Sequence, residues 1–490
     1  MKLRPYQQEV AKAVMDSVQN GKGLTFSVEI ARQGGKNELS AHLEVLLLTL
    51  YIARGGNLVK CSPTFKPQTV ISMQRLKERL DEFGFDGICH TQMGYIIQLG
   101  NARAIFLSAE LSSSVVGHTA DILLEIDESQ DINKEKYTKE FRPMGSATNV
   151  TTVHYGTTWD DSALLEEIKQ TNLELEKMDG IRRHFRYDWQ EVGKYNPDYL
   201  KFVQAEQQRL GENHPLFRTQ YALLPISSGG GFLSRQQIAL MQGRHQRLFQ
   251  PEGRKTYVAG IDLAGEREQE MSLRGLSRAQ RGNSMKQSLW IATPSARNDS
   301  NRIRNDRERG QDSTVITIAE VASRPLPNKG EHGVGLPLLD IVEHYQWTGI
   351  PHSQLYPQMV DILKKWNCGR IVVDATGIGQ PIASFLMAQL GSKVIPFTFT
   401  QKSKSDMGFN FLSLVNCGRL KLYKQDGSPE YQELMFELER AKAQYRPNQT
   451  MNFYVDPQEG HDDFLMSLAL VAQGGKDFSP REAKGLVRTS

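Results

Sequence analysis

The sequence predicts an α/β protein organised around two separate sheets, on three observations. Short apolar, β-branched runs alternate with helical stretches almost from end to end. A turn ending in Gly34-Gly35-Lys36 joins the first such run to the leucine-rich helix that follows it. A Gly-rich stretch, Ser227-Ser228-Gly229-Gly230-Gly231, then interrupts the chain, and a new alternating series starts at Tyr257. At 490 residues the chain is long enough for two cores.

In the first half, a helix is expected over 6–20, with Pro5 in its first turn. Leu24-Thr25-Phe26-Ser27-Val28 reads as a buried strand, and Leu39, Leu43, Leu46, Leu47 and Leu50 recur at helical spacing. Between them stands Ala31-Arg32-Gln33-Gly34-Gly35-Lys36-Asn37. Strand, glycine turn, lysine and helix is the order a phosphate loop needs. Gly34 and Gly35 let backbone N–H groups close on phosphates, and Lys36 neutralises their charge. Ile30 stands where the usual pattern has its first glycine. Asn37 stands where a Ser or Thr normally faces Mg²⁺, and its amide oxygen is the substitute. Gln7 has an amide suited to both hydrogen-bonding edges of adenine, and Tyr6 a ring that can stack on it; a plain polar helix start is the alternative.

Further strands are expected at Asn57–Cys61, Tyr95–Ile97 and Ala104–Leu107, with a helix from about Pro67 to Leu80. The run Ile122-Leu123-Leu124-Glu125-Ile126 ends in Asp127-Glu128, the second half of an ATPase site: Asp127 to hold Mg²⁺ through water, Glu128 to polarise the attacking water. Glu125 interrupts the apolar run. The strand from Val150 to Trp159 ends in Thr157-Thr158, candidates for sensing the γ-phosphate. Residues 160–225 read as helical and polar.

Bulk composition excludes little. A net charge of +3 permits a polyanionic partner without requiring one. No apolar run has membrane-spanning length, and MKLRPYQQEV lacks a signal-peptide core. Cys61, Cys89, Cys368 and Cys417 are scattered, as expected of reduced core thiols in a cytosolic protein.

The second half has strands at Tyr257–Leu263, Thr314–Ile318 and Leu338–Val342, a helix near 353–366, the strand Arg370–Asp374, a helix and the strand Val394–Phe397. Three strands, helix, strand, helix, strand is the element order of an RNase H-like domain. Asp262 lies within a strand, Asp374 at a strand end, and Asp462 and Asp463 at the start of an apolar helix. A charge inside an apolar strand is costly unless paired or bound to metal. Carboxylates converging from separate elements suit two Mg²⁺ or Mn²⁺ ions about 4 Å apart that cut a phosphodiester. Asp463 is favoured over Asp462 as ligand. An Arg-rich stretch from Arg267 to Arg309 reads as an insertion able to grip DNA phosphates, or as a solvated loop.

Together these features resemble the large terminase subunit of tailed bacteriophages. Ala31 to Lys36 is similar to that family's deviant Walker A, Gly117 to Glu128 to its Walker B approach, and Phe217-Arg218-Thr219-Gln220-Tyr221 with Gly231-Phe232-Leu233 to its linker. Asp262, Asp374 and His461-Asp462-Asp463 fall on its nuclease acids. The resemblance implies a RecA-like P-loop ATPase domain over 1–225, a linker over 226–254, an RNase H-like nuclease domain over 255–475 with the insertion at about 265–311, and a tail over 476–490. ATP would bind between Lys36, Arg32 and Gln7, with Mg²⁺ near Asp127. Hydrolysis would drive double-stranded DNA into a procapsid through a portal, and the nuclease would cut concatemeric DNA. Implied partners are the portal, a small terminase subunit and further copies in a ring, usually a pentamer, with a monomer in solution. The implied location is the host cytoplasm, outside the mature virion. Two alternatives stay open: an ATP-driven helicase or recombination nuclease, since Arg4-Pro5-Tyr6-Gln7 suits helicases, and a catalytically idle scaffold docked on a portal.

Overall fold

A computed structural model describes residues 2–226, 229–253, 255–264, 313–324, 336–377, 379–446 and 448–476. The expected Arg-rich insertion and the tail beyond Lys476 lie outside them. Two compact units emerge from the contacts: Met1–Gly243 with Phe399–Leu422 and Leu438–Tyr454, and Arg244–Thr398 with Tyr423–Glu437 and Val455–Ser490.

The first unit opens with α1 (Pro5–Gln19), β1 (Thr25–Ile30) and α2 (Lys36–Leu50). Five of the six β1 residues are buried, as the apolar run requires. In α2, Leu39, Leu43 and Leu47 are fully buried on one stripe, while Leu46 and Leu50 face solvent. There follow β2 (Gly56–Ser62), α3 (Val70–Glu82), β3 (Cys89–Gln92), β4 (Ile96–Leu99), β5 (Ala102–Ser108) and β6 (Leu123–Ile126). The short α4 (Lys134–Lys136), β7 (Thr152–Gly156), α5 (Leu164–Asp179) and β8 (His184–Tyr187) complete the sheet and its cover. β8 lies in the stretch expected to be helical. It forms because its extended backbone pairs with β1, Ser27 opposite His184. Next come α6 (Trp189–Gly193), α7 (Pro197–Leu210) and α8 (Pro215–Gln220).

The strand order is β3-β4-β5-β2-β6-β7-β1-β8. Every pairing from β5 to β8 is parallel, and the β3-β4-β5 edge is antiparallel. Because β1, β6 and β7 are parallel neighbours, the loops after all three emerge at one sheet edge. Open α/β sheets bind ligands at that edge.

The Gly-rich stretch is more than a tether. Gly229–Gly231 forms β9, followed by α9 (Arg235–Met241), and residues to Gly243 stay with the first unit.

The second unit begins with β10 (Tyr257–Asp262), β11 (Ser313–Arg324), β12 (Leu336–Thr348), α10 (His352–Trp366), β13 (Arg370–Asp374), α11 (Gly379–Leu390) and β14 (Val394–Phe397), the expected RNase H-like order. Its strands run β14-β13-β10-β11-β12. β10 pairs antiparallel with β11 and parallel with β13, so Asp262 and Asp374 end neighbouring strands at one edge.

The chain then departs from the linear division expected. α12 (Gln401–Asn416), β15 (Leu420–Lys421) and the antiparallel hairpin of β16 (Lys442–Tyr445) and β17 (Met451–Tyr454) belong to the first unit, where β16 pairs with β9. Between them, most of α13 (Pro429–Arg440) belongs to the second unit, which ends with α14 (Asp463–Gly475). α14 packs on β10, β11 and β13. Gly260 makes this close approach possible, since a Cβ there would collide with the Ser467 carbonyl and lie 2.5 Å from the Val471 nitrogen.

Candidate functional site

In the first unit, the loop after β1 turns sharply into α2. Gln33 and Gly35 take the left-handed region, with φ of 62° and 89°. Gly34 is required by space: a Cβ would lie 2.6 Å from Ile30 Cγ2 and 2.7 Å from the Ala31 carbonyl. The loop is held from α1. The Tyr6 hydroxyl donates to the Gly34 carbonyl at 2.5 Å, and Gln7 Nε2 donates to the Gly35 carbonyl at 2.8 Å. Gln7 Oε1 accepts from the Arg4 nitrogen at 2.8 Å, so both ends of the amide expected to read adenine also hold backbone. Tyr6 is buried against Tyr187 and Tyr195, with ring centroids 5.1 and 5.8 Å away, which corrects the expectation of a stacking face.

Lys36 starts α2 and reaches across the sheet edge. Its Nζ lies 3.3 Å from Asp127 Oδ1 and 2.5 Å from Glu128 Oε1. Burial opposes the lysine's charge, but the two carboxylates outweigh it and raise its pKa above the usual lysine value. Asp127 is lowered: burial works against ionisation, and Lys36 and then Lys60 overcome it. Glu128 sits at φ 47°, and Gln130 Nε2 donates to its Oε2 at 2.7 Å. Arg32 donates from Nη1 to Gln220 Oε1 at 2.6 Å. Lys36, Glu128, Arg32 and Gln220 line a cleft of about 1220 Å³ together with Gln7, Asn37, Asp131, Thr157 and Gln449. Thr158, beside Thr157, is buried.

Behind the cleft is a polar cluster that reading along the chain did not assemble. Lys60, from the middle of β2, donates to Ser40 Oγ at 2.7 Å and to Glu44 Oε1 at 2.9 Å. Ser40 Oγ donates at 3.0 Å to Glu44 Oε1 or at 2.9 Å to Glu125 Oε1. Burial, then the Glu44 charge, pushes Glu125 well above the usual carboxylate range. Glu125 is thus a buried brace between α2 and β6. His154 plays a similar part between β7 and the Glu128 turn: its Nδ1 is 2.9 Å from Ser129 Oγ, and burial lowers its pKa to about 3.

In the second unit, Asp262, Asp374, Asp462 and Asp463 are brought to one edge of the sheet. Burial raises Asp262 well above the usual range, with Asp463, Asp374, Asp462 and Glu437 adding repulsion in that order. Asp463 Oδ2 accepts from the Ser313 nitrogen at 2.7 Å, and Asp374 Oδ1 from the Thr376 nitrogen at 2.8 Å. Glu437, unnoticed in the sequence, is 1% exposed and accepts from the Leu465 nitrogen at 2.8 Å, so it braces the start of α14. Acids that repel one another at a sheet edge, Asp262 and Asp463 of them buried, are the donor chemistry of a hard divalent cation. As placed, no three His, Cys, Asp or Glu side chains among the described residues close on one metal position.

The architecture has relatives among solved structures. The large terminase of a thermophilic bacteriophage is 12% identical, with 96% of this chain and 99% of that one covered, at a TM-score of 0.51. The chain has a large-terminase fold. The bacteriophage HK97 large terminase is 14% identical over 97% of this chain and 95% of that one, at a TM-score of 0.40. The magnesium-bound large-terminase nuclease of the thermophilic phage G20c is 15% identical over 50% of this chain and 96% of that one, at 0.32. No protein-family profile and no curated protein matches the chain. Within this large-terminase fold, no described helix is long and apolar enough to cross a membrane.

Proposed function

We propose that this chain is the large terminase subunit of a tailed bacteriophage: an ATPase that drives double-stranded DNA into a procapsid and a metal-dependent nuclease that cuts concatemeric DNA. The observation that carries the reading is the Lys36 ammonium held by Asp127 and Glu128 where β1, β6 and β7 open into one cleft. A lysine at the start of α2, 11% exposed and braced by two acids beside a glycine turn, is here a phosphate-binding cation parked on its own catalytic groups. When ATP enters, Lys36 exchanges the carboxylates for β- and γ-oxygens. Asp127 is then available to Mg²⁺, and Glu128 to hold and polarise water in line with the γ-phosphate. Mg²⁺ supplies charge neutralisation on the phosphates. Arg32 and Asn37 line the same cleft and would contact the nucleotide, and the Thr157 loop would relay the phosphate state.

In the second unit, Asp262, Asp374 and Asp463, with Asp462 beside them, would hold Mg²⁺ or Mn²⁺, two ions on this reading. Bound metal lowers the pKa of water and screens the scissile phosphate. The partners that follow are duplex DNA, the portal of a procapsid, a small terminase subunit and further copies in a ring, in the host cytoplasm. The helicase reading wants a second sheet of the nucleotide-binding kind; the second unit has a mixed sheet edged with acids.

The test uses the full chain. Glu128→Gln is expected to cut ATP hydrolysis by about 10²-fold or more, the scale of a lost general base. Lys36→Ala is expected to abolish it while metal-dependent plasmid cleavage continues. Asp262→Ala should do the reverse. Wild-type hydrolysis in Glu128→Gln sinks the ATPase assignment; undiminished cleavage in Asp262→Ala sinks the nuclease assignment.

A further inference from the structure

The cleft of the first unit receives a side chain from far along the sequence. The turn between β16 and β17 lies beside the cleft, and Asn448 and Gln449 line it. Gln449 Nε2 donates to Asp131 at 3.1 Å from each carboxylate oxygen. Gln449 Oε1 accepts from Gln220 Nε2 at 3.4 Å, and Gln220 in turn holds Arg32. On the other side, Gln130 Nε2 is shared between Asp131 Oδ2 at 3.3 Å and Glu128 Oε2 at 2.7 Å. A single polar chain therefore runs from the phosphate-loop arginine to the water-activating glutamate, and Gln449 is its middle link.

The turn is built to hold that position. The buried Trp159, two residues past Thr157, donates from Nε1 to the Arg446 carbonyl at 2.8 Å. Gln449 takes φ 58°, a left-handed conformation kept while its nitrogen donates to the Arg446 carbonyl at 3.0 Å. The other edge of β16 pairs with β9, Lys442 opposite Gly231.

We infer that Gln449 is a positioning residue for ATP hydrolysis: it fixes Asp131, and through Asp131 and Gln130 it aims the Glu128 carboxylate. This rests on the ATPase reading and adds that the active cleft is incomplete without residues 442–454. It also makes the hairpin an outlet for nucleotide state. Gln449 touches the Glu128 turn, Arg446 touches the strand end after β7, and β16 pairs with the Gly229–Gly231 strand.

The experiment measures kcat and KM for ATP in the full chain carrying Gln449→Gly, Gln449→Glu or Glu128→Gln. Glycine suits φ 58° at least as well as glutamine, so the fold is retained and only the amide is lost. Gln449→Gly is expected to lower kcat at least fivefold, with KM within threefold and the melting midpoint unchanged or higher. Gln449→Glu should lower kcat further, because a second carboxylate then faces Asp131; a role in packing alone would tolerate it. If the glycine variant does not fold, Gln449→Asn, which tolerates the same backbone but has a shorter amide, takes its place with the same expectation. A smaller fall in kcat, or a fall that tracks lost stability, overturns the inference while wild-type hydrolysis and its loss in Glu128→Gln still support the ATPase. A wild type that does not hydrolyse ATP overturns both.

Discussion

Lys60→Met tests whether the buried cluster behind the cleft is what holds α2 to the sheet. Lys60 is 2% exposed and Glu44 and Glu125 are fully buried, so neither acid can turn to water when the ammonium goes. Two hydrogen bonds disappear, to Ser40 and Glu44, and two acids are left facing Ser40 without a cation. Breaking one partner out of a buried ionic group costs about 3–5 kcal/mol. For a unit of this size, 1 kcal/mol moves the melting midpoint about 2–4 °C, so the expected fall is roughly 6–20 °C. Calorimetry of the full chain reads it, with the second unit's transition as the internal control. The penalty should shrink as pH falls, since Glu125 already favours its protonated form. Lys60→Met combined with Glu44→Met should recover most of the loss, because an apolar pair replaces an ionic one. A midpoint shift under about 2 °C in the single variant would refute the reasoning, being less than 1 kcal/mol at this scale.

Two other perturbations have defined outcomes. Glu29 on β1 is fully buried, with Lys169 Nζ at 3.8 Å and His184 Nε2 at 3.7 Å, and burial raises its pKa to about 7. A carboxyl raised in the fold keeps its stabilisation below its unfolded pKa and loses it as pH rises through the folded value. The Glu29→Gln variant should therefore match wild type near pH 5 and exceed it by about 3 kcal/mol at pH 8 in denaturant titrations; parallel curves would refute the assignment. Gly260→Ala pushes a methyl into the backbone of α14 and should destabilise the second unit by about 1–3 kcal/mol or more, whereas Gly87→Ala, with open space around it, should change little. Equal melting curves for the two would contradict the packing of α14 on β10.

The strand–turn–helix around Lys36 and the Asp127-Glu128 strand end were legible because each is local: period, glycine and charge stand next to one another in the chain. The nuclease-like unit was legible from element order, and Asp262 from the cost of a charge in an apolar strand. What escaped was built by partners distant in sequence. Glu125 reads as an interruption of an apolar strand and Lys60 as one position of an ordinary strand, and only the fold shows them meeting Ser40 and Glu44. Glu437 looks like one more polar position on α13 until α14 is laid beside it. Gly229–Gly231 has the composition of a flexible tether, yet it becomes a strand because β16 offers it a ladder. Gln7 and Tyr6 were read as groups for the base; the fold adds that they hold the carbonyls of Gly35 and Gly34, a support for the loop that only the packing of α1 shows, while Gln7 also lines the cleft.

Anomalous scattering from a crystal of the full chain grown with Mn²⁺ addresses the second unit most directly. The expectation is density between Asp262, Asp374 and Asp463, drawing together acids whose repulsion, after burial, now raises Asp262. Manganese bound elsewhere with those carboxylates untouched would contradict it, and with it the claim that one chain carries both the motor and the blade.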